Sequence, residues 1–225
     1  MGLAKEKNGG SSNEKCQNEA CEMQHKSSNQ LLTYWNTVRN GRFAPDRFEI
    51  EPAKISDILA DVFILECADN ATYSFRLAGT RICTSLGHEL RNRNLLDFFT
   101  GDDRQAVQNL LHNVVKDGAG AVMEFECTNG DRENAVFELL VLPLIHSDQK
   151  VSRVLGSMAA LTQPYWIGTV ELRHLKLMTF DLIWPNGVVA AVESVEPPVL
   201  LKETRADDAR KRFRVLEGGL STSTD

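Results

Sequence analysis

The 225-residue chain lacks any uninterrupted apolar stretch of about 18 residues, so no membrane-spanning helix is predicted. It also lacks a basic excess. Its 25 Lys and Arg stand against 31 Asp and Glu, a net charge of −6, whereas a nucleic-acid binder shows a basic face. The opening "MGLAKEKNGGSSNEKC" has no apolar core of the kind a signal peptide needs, and Glu6 stands where a myristoylation pattern requires Ser or Thr. The expected compartment is the cytoplasm. P-loop, Gly-rich dinucleotide turn, HExxH and GxSxG motifs are all missing. His146, Ser147 and Asp148 are neighbours in sequence and cannot converge as a triad from separate elements. Cysteine is scarce, and Cys16 and Cys21, spaced CxxxxC with His25 nearby, offer too few ligands for a metal site. The expectation is a protein that is not an enzyme and holds no metal.

What is present is an ordinary globular composition, 42% hydrophobic and 25% charged, sized for one domain with tails. Residues 1–30 carry almost no aliphatic and no aromatic side chain, and such a segment is expected to stay disordered. Leu31, Tyr34, Trp35 and Val38 then recur at helical spacing, with Asn40-Gly41 as the stop. Pro52 suits the first turn of a further helix, with Ile55, Ile58 and Leu59 on one face. "DVFILECA" and "YSFRLAG" read as two strands of a hairpin turning at Asp69-Asn70. Tyr73, Phe75 and Leu77 alternate on one face of the second strand, with Arg76 opposite.

At Gly79-Thr80 the period changes. Thr80 fits a helix N-cap, and Ile82 and Leu86 give the short helix an inner face. An apolar turn at Leu95–Phe99 leads to a longer helix, capped by Asp102 or Asp103 and ended by Gly118. Its inward stripe is Val107, Leu110, Leu111, Val114 and Val115. Three strands follow, "AVMEFECT", "NAVFELLVLPLIH" and "VSRVLGSMAALT". In the first, Met123, Phe125 and Cys127 are expected on a buried face, with Val122, Glu124 and Glu126 on a wet one. Residues 164–186 fit either a sixth strand or a helix on the domain edge. After Pro185 the chain is expected to be flexible, with 213–219 a docking segment. Strands and helices are segregated, which predicts an antiparallel α+β domain over 31–185.

This order of elements resembles a PAS domain, a five-stranded antiparallel sheet with its helices between the second and third strands. The stretches "YWNTVRNGRFAPDRFEIEP", "FRLAGTRICTSLGHELRNRNLLDFF" and "RVLEGG" resemble the alphaproteobacterial PAS family that has no output domain of its own. The resemblance implies a sensory or protein-interaction module in signalling, cell-cycle or polarity circuits, often a homodimer acting on a separate partner. It does not say whether a ligand is bound, and haem, flavin and metabolite stay open. A ligand pocket would be lined by Phe75, Leu77, Ile82, Leu86, His88, Phe98, Phe125 and Leu139, residues that would equally fill a solid core. His112 lies about 120° from the centre of its helix's apolar stripe and is expected toward solvent, whereas His88 could point either way. Cys83, in "TRICTSLG", departs from the Asn-Cys-Arg-Phe setting of covalent flavin relatives. Arg76, Arg81, Arg91 and Arg93 are either solvated charges or anion contacts. Leu31, Tyr34, Trp35 and Val38 either cover the sheet or meet a partner or second copy.

Overall fold

A computed structural model describes residues 23–128, 134–146 and 151–184. Helix α1 spans Lys26–Arg39, and strands β1 (Val62–Asp69) and β2 (Thr72–Ala78) form the expected hairpin. Helices α2 (Thr80–Leu86) and α3 (Gly101–Asp117) flank a 3-10 turn at Leu95–Phe98. Strands β3 (Gly120–Thr128), β4 (Asn134–Ile145), β5 (Val151–Ala160) and β6 (Lys176–Ile183) complete the domain. The six strands pair antiparallel throughout, in the spatial order β2-β1-β5-β4-β3-β6. Among the described residues the sheet therefore has six strands where five were expected. The open segment supplies the sixth, because β6 finds the free edge of β3 and pairs along it from Gly120 to Glu126.

Both faces of the sheet are covered. On one, α2, the Leu95–Phe98 turn and α3 pack over Phe75, Met123, Phe125, Phe137 and Leu139. On the other, α1 buries Leu31 and Trp35 against Ile64, Val122, Leu140, Leu142 and Leu155. Strand β4 reads as a near-continuous apolar run because its alternate residues serve the two layers. The face of β3 expected to be wet is thus dry at Val122, where α1 covers it.

Helix α1 starts at Lys26, inside the segment expected to be disordered. The cause is polar rather than apolar. Buried Glu138 on β4 accepts from the backbone N–H groups of Gln24 (2.6 Å) and His25 (3.2 Å). His25 Nδ1 then caps the helix by accepting from Ser27 N at 3.1 Å. These bonds satisfy donors that a helix start leaves open, and they need no aliphatic side chain. At the far end Asn40 takes the left-handed conformation, as the Asn-Gly stop predicts.

Four local expectations are corrected. The Pro52 segment forms two 3-10 turns, Pro52–Ile55 and Leu59–Asp61, rather than one helix, although Ile55 and Ile58 are buried as expected. Gly79, not Thr80, is the N-cap of α2, and Thr100, not Asp102 or Asp103, that of α3. Asp103 instead accepts from Leu177 N at 3.1 Å, which ties α3 to β6. Finally, Leu77 does not share the face of Phe75. Leu65 pairs with Phe75 but Ile64 with Leu77, so one extra residue, Arg76, sits in a bulge and reverses the alternation. Leu77 is left 47% exposed.

Gly79 marks the strand-to-helix switch for a packing reason. A Cβ there would lie 2.2 Å from the Ala60 carbonyl oxygen, so only glycine lets the first turn of α2 rest on the Leu59–Asp61 turn. That approach places Arg81 beside Asp61.

Candidate functional site

Of the residues expected to line a ligand pocket, Phe75, Ile82, Leu86, Phe98, Phe125 and Leu139 are buried together in one cluster. Aromatic rings fill its centre. Phe125 stacks on Phe137 with centroids 5.4 Å apart, and Phe99 meets Phe125 edge-on at 6.1 Å. Phe63 meets Phe75 at 5.5 Å. Interiors packed in this way gain dispersion contacts that a cavity would forfeit. Cys127 is buried and Cys67 half-buried in the same layer, and desolvation pushes both thiols up to about 12. Cys83, half-buried on α2, is also raised, chiefly by desolvation, and so is kept in the thiol form.

His88 faces a different space, and Phe98 joins it there from the edge of the cluster. They stack at 5.5 Å with ring planes 12° apart and border a cleft of about 690 Å³ together with Arg93, Asn94, Glu171 and Arg173. His88 Nδ1–H donates to the Leu86 carbonyl at 3.0 Å, which leaves Nε2 as a lone-pair acceptor. Nε2 is buried and has no hydrogen-bond partner among the described residues. Burial holds the imidazole below its ordinary pKa, Arg93 adds to the depression, and Glu171, 3.6 Å from Nδ1, opposes it. His112 is half-buried on α3.

The four arginines separate. Arg76 pairs with Glu66 at 3.2 Å, and Glu66 also receives Arg153 at 3.4 Å. Arg81 pairs with buried Asp61. Arg91 is exposed, and Arg93 borders the His88 cleft. The segment holding them runs beside β2, with Phe75 N donating to Arg93 O and Asn92 N to Phe75 O. It covers that edge of the sheet. Of the aromatics on α1, Trp35 is buried and donates Nε1–H to Pro143 O at 2.9 Å, while Tyr34 Oη accepts from Glu51 N at 2.8 Å. Leu31 is buried and Val38 half-buried in the same layer. The helix covers the sheet of its own chain.

The sequence reading passed over Asp61, Glu138, Glu171 and Arg173. Nothing periodic marks them, because Asp61 and Glu138 work across elements far apart in the chain, and Glu171 and Arg173 pair within an irregular segment. Only Gly79 carried a signal, since a glycine opening a helix hints that a neighbouring backbone comes close.

A model of the PAS domain family matches residues 23–159, more than half of the chain. The chain belongs to the PAS domain family. No curated protein matches it. Solved structures that resemble it include the PAS domain of a Colwellia psychrerythraea protein, at 14% identity, TM-score 0.38, 50% of this chain and 95% of that one. The Rhodobacter sphaeroides LOV protein gives 13% identity, TM-score 0.38, 52% of this chain and 71% of that one. The light-state structure of the blue-light photoreceptor Aureochrome1 LOV gives 15% identity, TM-score 0.38, 52% of this chain and 91% of that one.

Proposed function

We propose that this chain is a non-enzymatic, cytoplasmic PAS module that works through protein–protein contacts, as a homodimer and on a separate signalling partner. The observation that carries this reading is the interior. Where a ligand-loaded domain needs room, Phe63, Phe75, Phe99, Phe125 and Phe137 are buried against one another. Surface for contacts is present on β6, which among the described residues is the edge strand opposite the covered one, where Met178 and Phe180 are 50% and 46% exposed. Strands at the edge of a sheet accept further strands. The "FRLAGT" run supports placing the chain with the alphaproteobacterial single-PAS proteins of signalling, cell-cycle or polarity circuits. The test is a near-ultraviolet and visible absorption spectrum of the full purified chain, with native mass spectrometry on the same sample. A colourless dimer is expected. A haem or flavin band overturns the reading.

A second reading, a small-molecule sensor, is favoured by the lone pair of His88 Nε2, buried beside the Arg93 and Arg173 cleft. It predicts an anionic metabolite with a hydroxyl or N–H to donate to Nε2, retained by the native chain and released by Arg93→Ala. Native spectra that are the same for both proteins count against it.

A further inference from the structure

We propose that a second cleft, between the start of α1, α2 and the end of β5, binds a small zwitterion: a free α-amino acid with an apolar side chain. This goes beyond the reading above and uses none of the aromatic interior. The cleft holds about 380 Å³ and is bordered by His25, Asp61, Arg81, Met158, Pro164 and Ile167. Its chemistry centres on Asp61, only 1% exposed. One carboxylate oxygen, Oδ2, accepts from Ser27 Oγ at 2.7 Å and from Arg81. The other, Oδ1, is buried and accepts no hydrogen bond from any described residue. An ionised oxygen shut away from water without a donor is costly, and a donor brought by a ligand removes the cost.

Three features select the zwitterion. Arg81 already balances the charge of Asp61, so a bare cation would leave the site with a net positive charge, whereas a zwitterion keeps it neutral. A metal ion is disfavoured because no group of three His, Cys, Asp or Glu among the described residues is placed to hold one. The donors for a ligand carboxylate are also present. The Arg81 side chain is 56% exposed and engages only Asp61 among the described residues, so guanidinium N–H groups remain for a second carboxylate. His25 Nδ1 accepts from Ser27 N, which in the neutral ring puts the proton on Nε2 as a further donor. The ammonium then belongs at Asp61 Oδ1, the carboxylate at Arg81, and the side chain against Met158, Pro164 and Ile167.

The experiment is calorimetric titration of the full chain with L-leucine and L-methionine, beside N-acetyl-L-leucine, which lacks the ammonium, and L-leucinamide, which lacks the carboxylate. Saturable one-to-one binding of a free amino acid is expected, weakened roughly tenfold or more in each blocked analogue, as loss of a charge-assisted hydrogen bond implies. Asp61→Asn is expected to give a similar loss with the circular dichroism spectrum unchanged. The proposal is overturned if neither amino acid binds, or if the blocked analogues bind as tightly. Because the analogues are tested on the unaltered chain, poor folding of the variant does not shield it. A colourless mass increment lost in Asp61→Asn belongs to this cleft and a chromophore to the interior, so the two readings can fail separately.

Discussion

The two faces of the sheet are held by different chemistry. The face under α2 and α3 is almost wholly apolar, with contacting phenylalanine rings set among leucines. The face under α1 mixes aliphatic packing with buried polar anchors. Glu138 holds the chain before the helix, Ser28 and Ser157 hydroxyls meet at 3.1 Å, and Trp35 reaches the Pro143 carbonyl. Apolar packing tolerates many partners as long as volume is kept, whereas a buried hydrogen bond accepts one position. The helical face therefore supplies bulk stability, and the α1 face fixes where the N-terminal helix sits.

Breaking the first face has the largest expected effect. Phe125→Ala removes the ring shared by Phe99 and Phe137 and is expected to lower stability by about 3–5 kcal/mol in urea unfolding, against under about 0.5 kcal/mol for Leu77→Ala beyond the bulge. Equal losses at the two positions would refute the bulge as the reason Leu77 leaves the core. On the second face, Glu138→Gln keeps the shape but weakens the bonds to Gln24 and His25, an expected loss of about 1.5–3 kcal/mol. Amide exchange at the start of α1 should quicken with it; if only global stability falls, Glu138 is packing rather than anchoring.

A smaller effect comes from pH. The folded pKa of His88 lies below the ordinary 6.5, so the unfolded chain takes up the proton first as pH falls. Its contribution is complete above the unfolded value and is lost as pH drops through 6.5 toward the depressed folded value. Thermal melts of the wild type and His88→Asn across this range are expected to differ in slope, the wild type being the steeper. Small as well is the effect of Arg76→Ala. Its pair with Glu66 is half-exposed on both sides, which predicts a loss of no more than about 1 kcal/mol in the same urea assay.

Much of the fold was legible because it rests on period. Strands of alternating or continuous apolar residues, the α3 stripe and the Gly118 stop all follow from spacing. Three things were not. The bulge at Arg76 cannot be seen without knowing the partner strand. The start of α1 depends on Glu138, more than a hundred residues away. The Asp61–Arg81 pair depends on a backbone approach that Gly79 permits. Of the expected pocket residues, six belong to the core layer, Phe98 also bordering the outer cleft that His88 faces, and Leu77 leaves the layer. Periodicity reports which side chains are buried; it is silent on whether they surround a space.

That question has a direct test. The full chain would be unfolded in urea and refolded with excess flavin mononucleotide, and separately with haemin, then freed of unbound ligand and assayed by absorption and thermal melting. A filled aromatic interior predicts no stoichiometric uptake and an unchanged melting temperature. A one-to-one complex with a raised melting temperature would contradict it and make this PAS domain a cofactor-binding sensor.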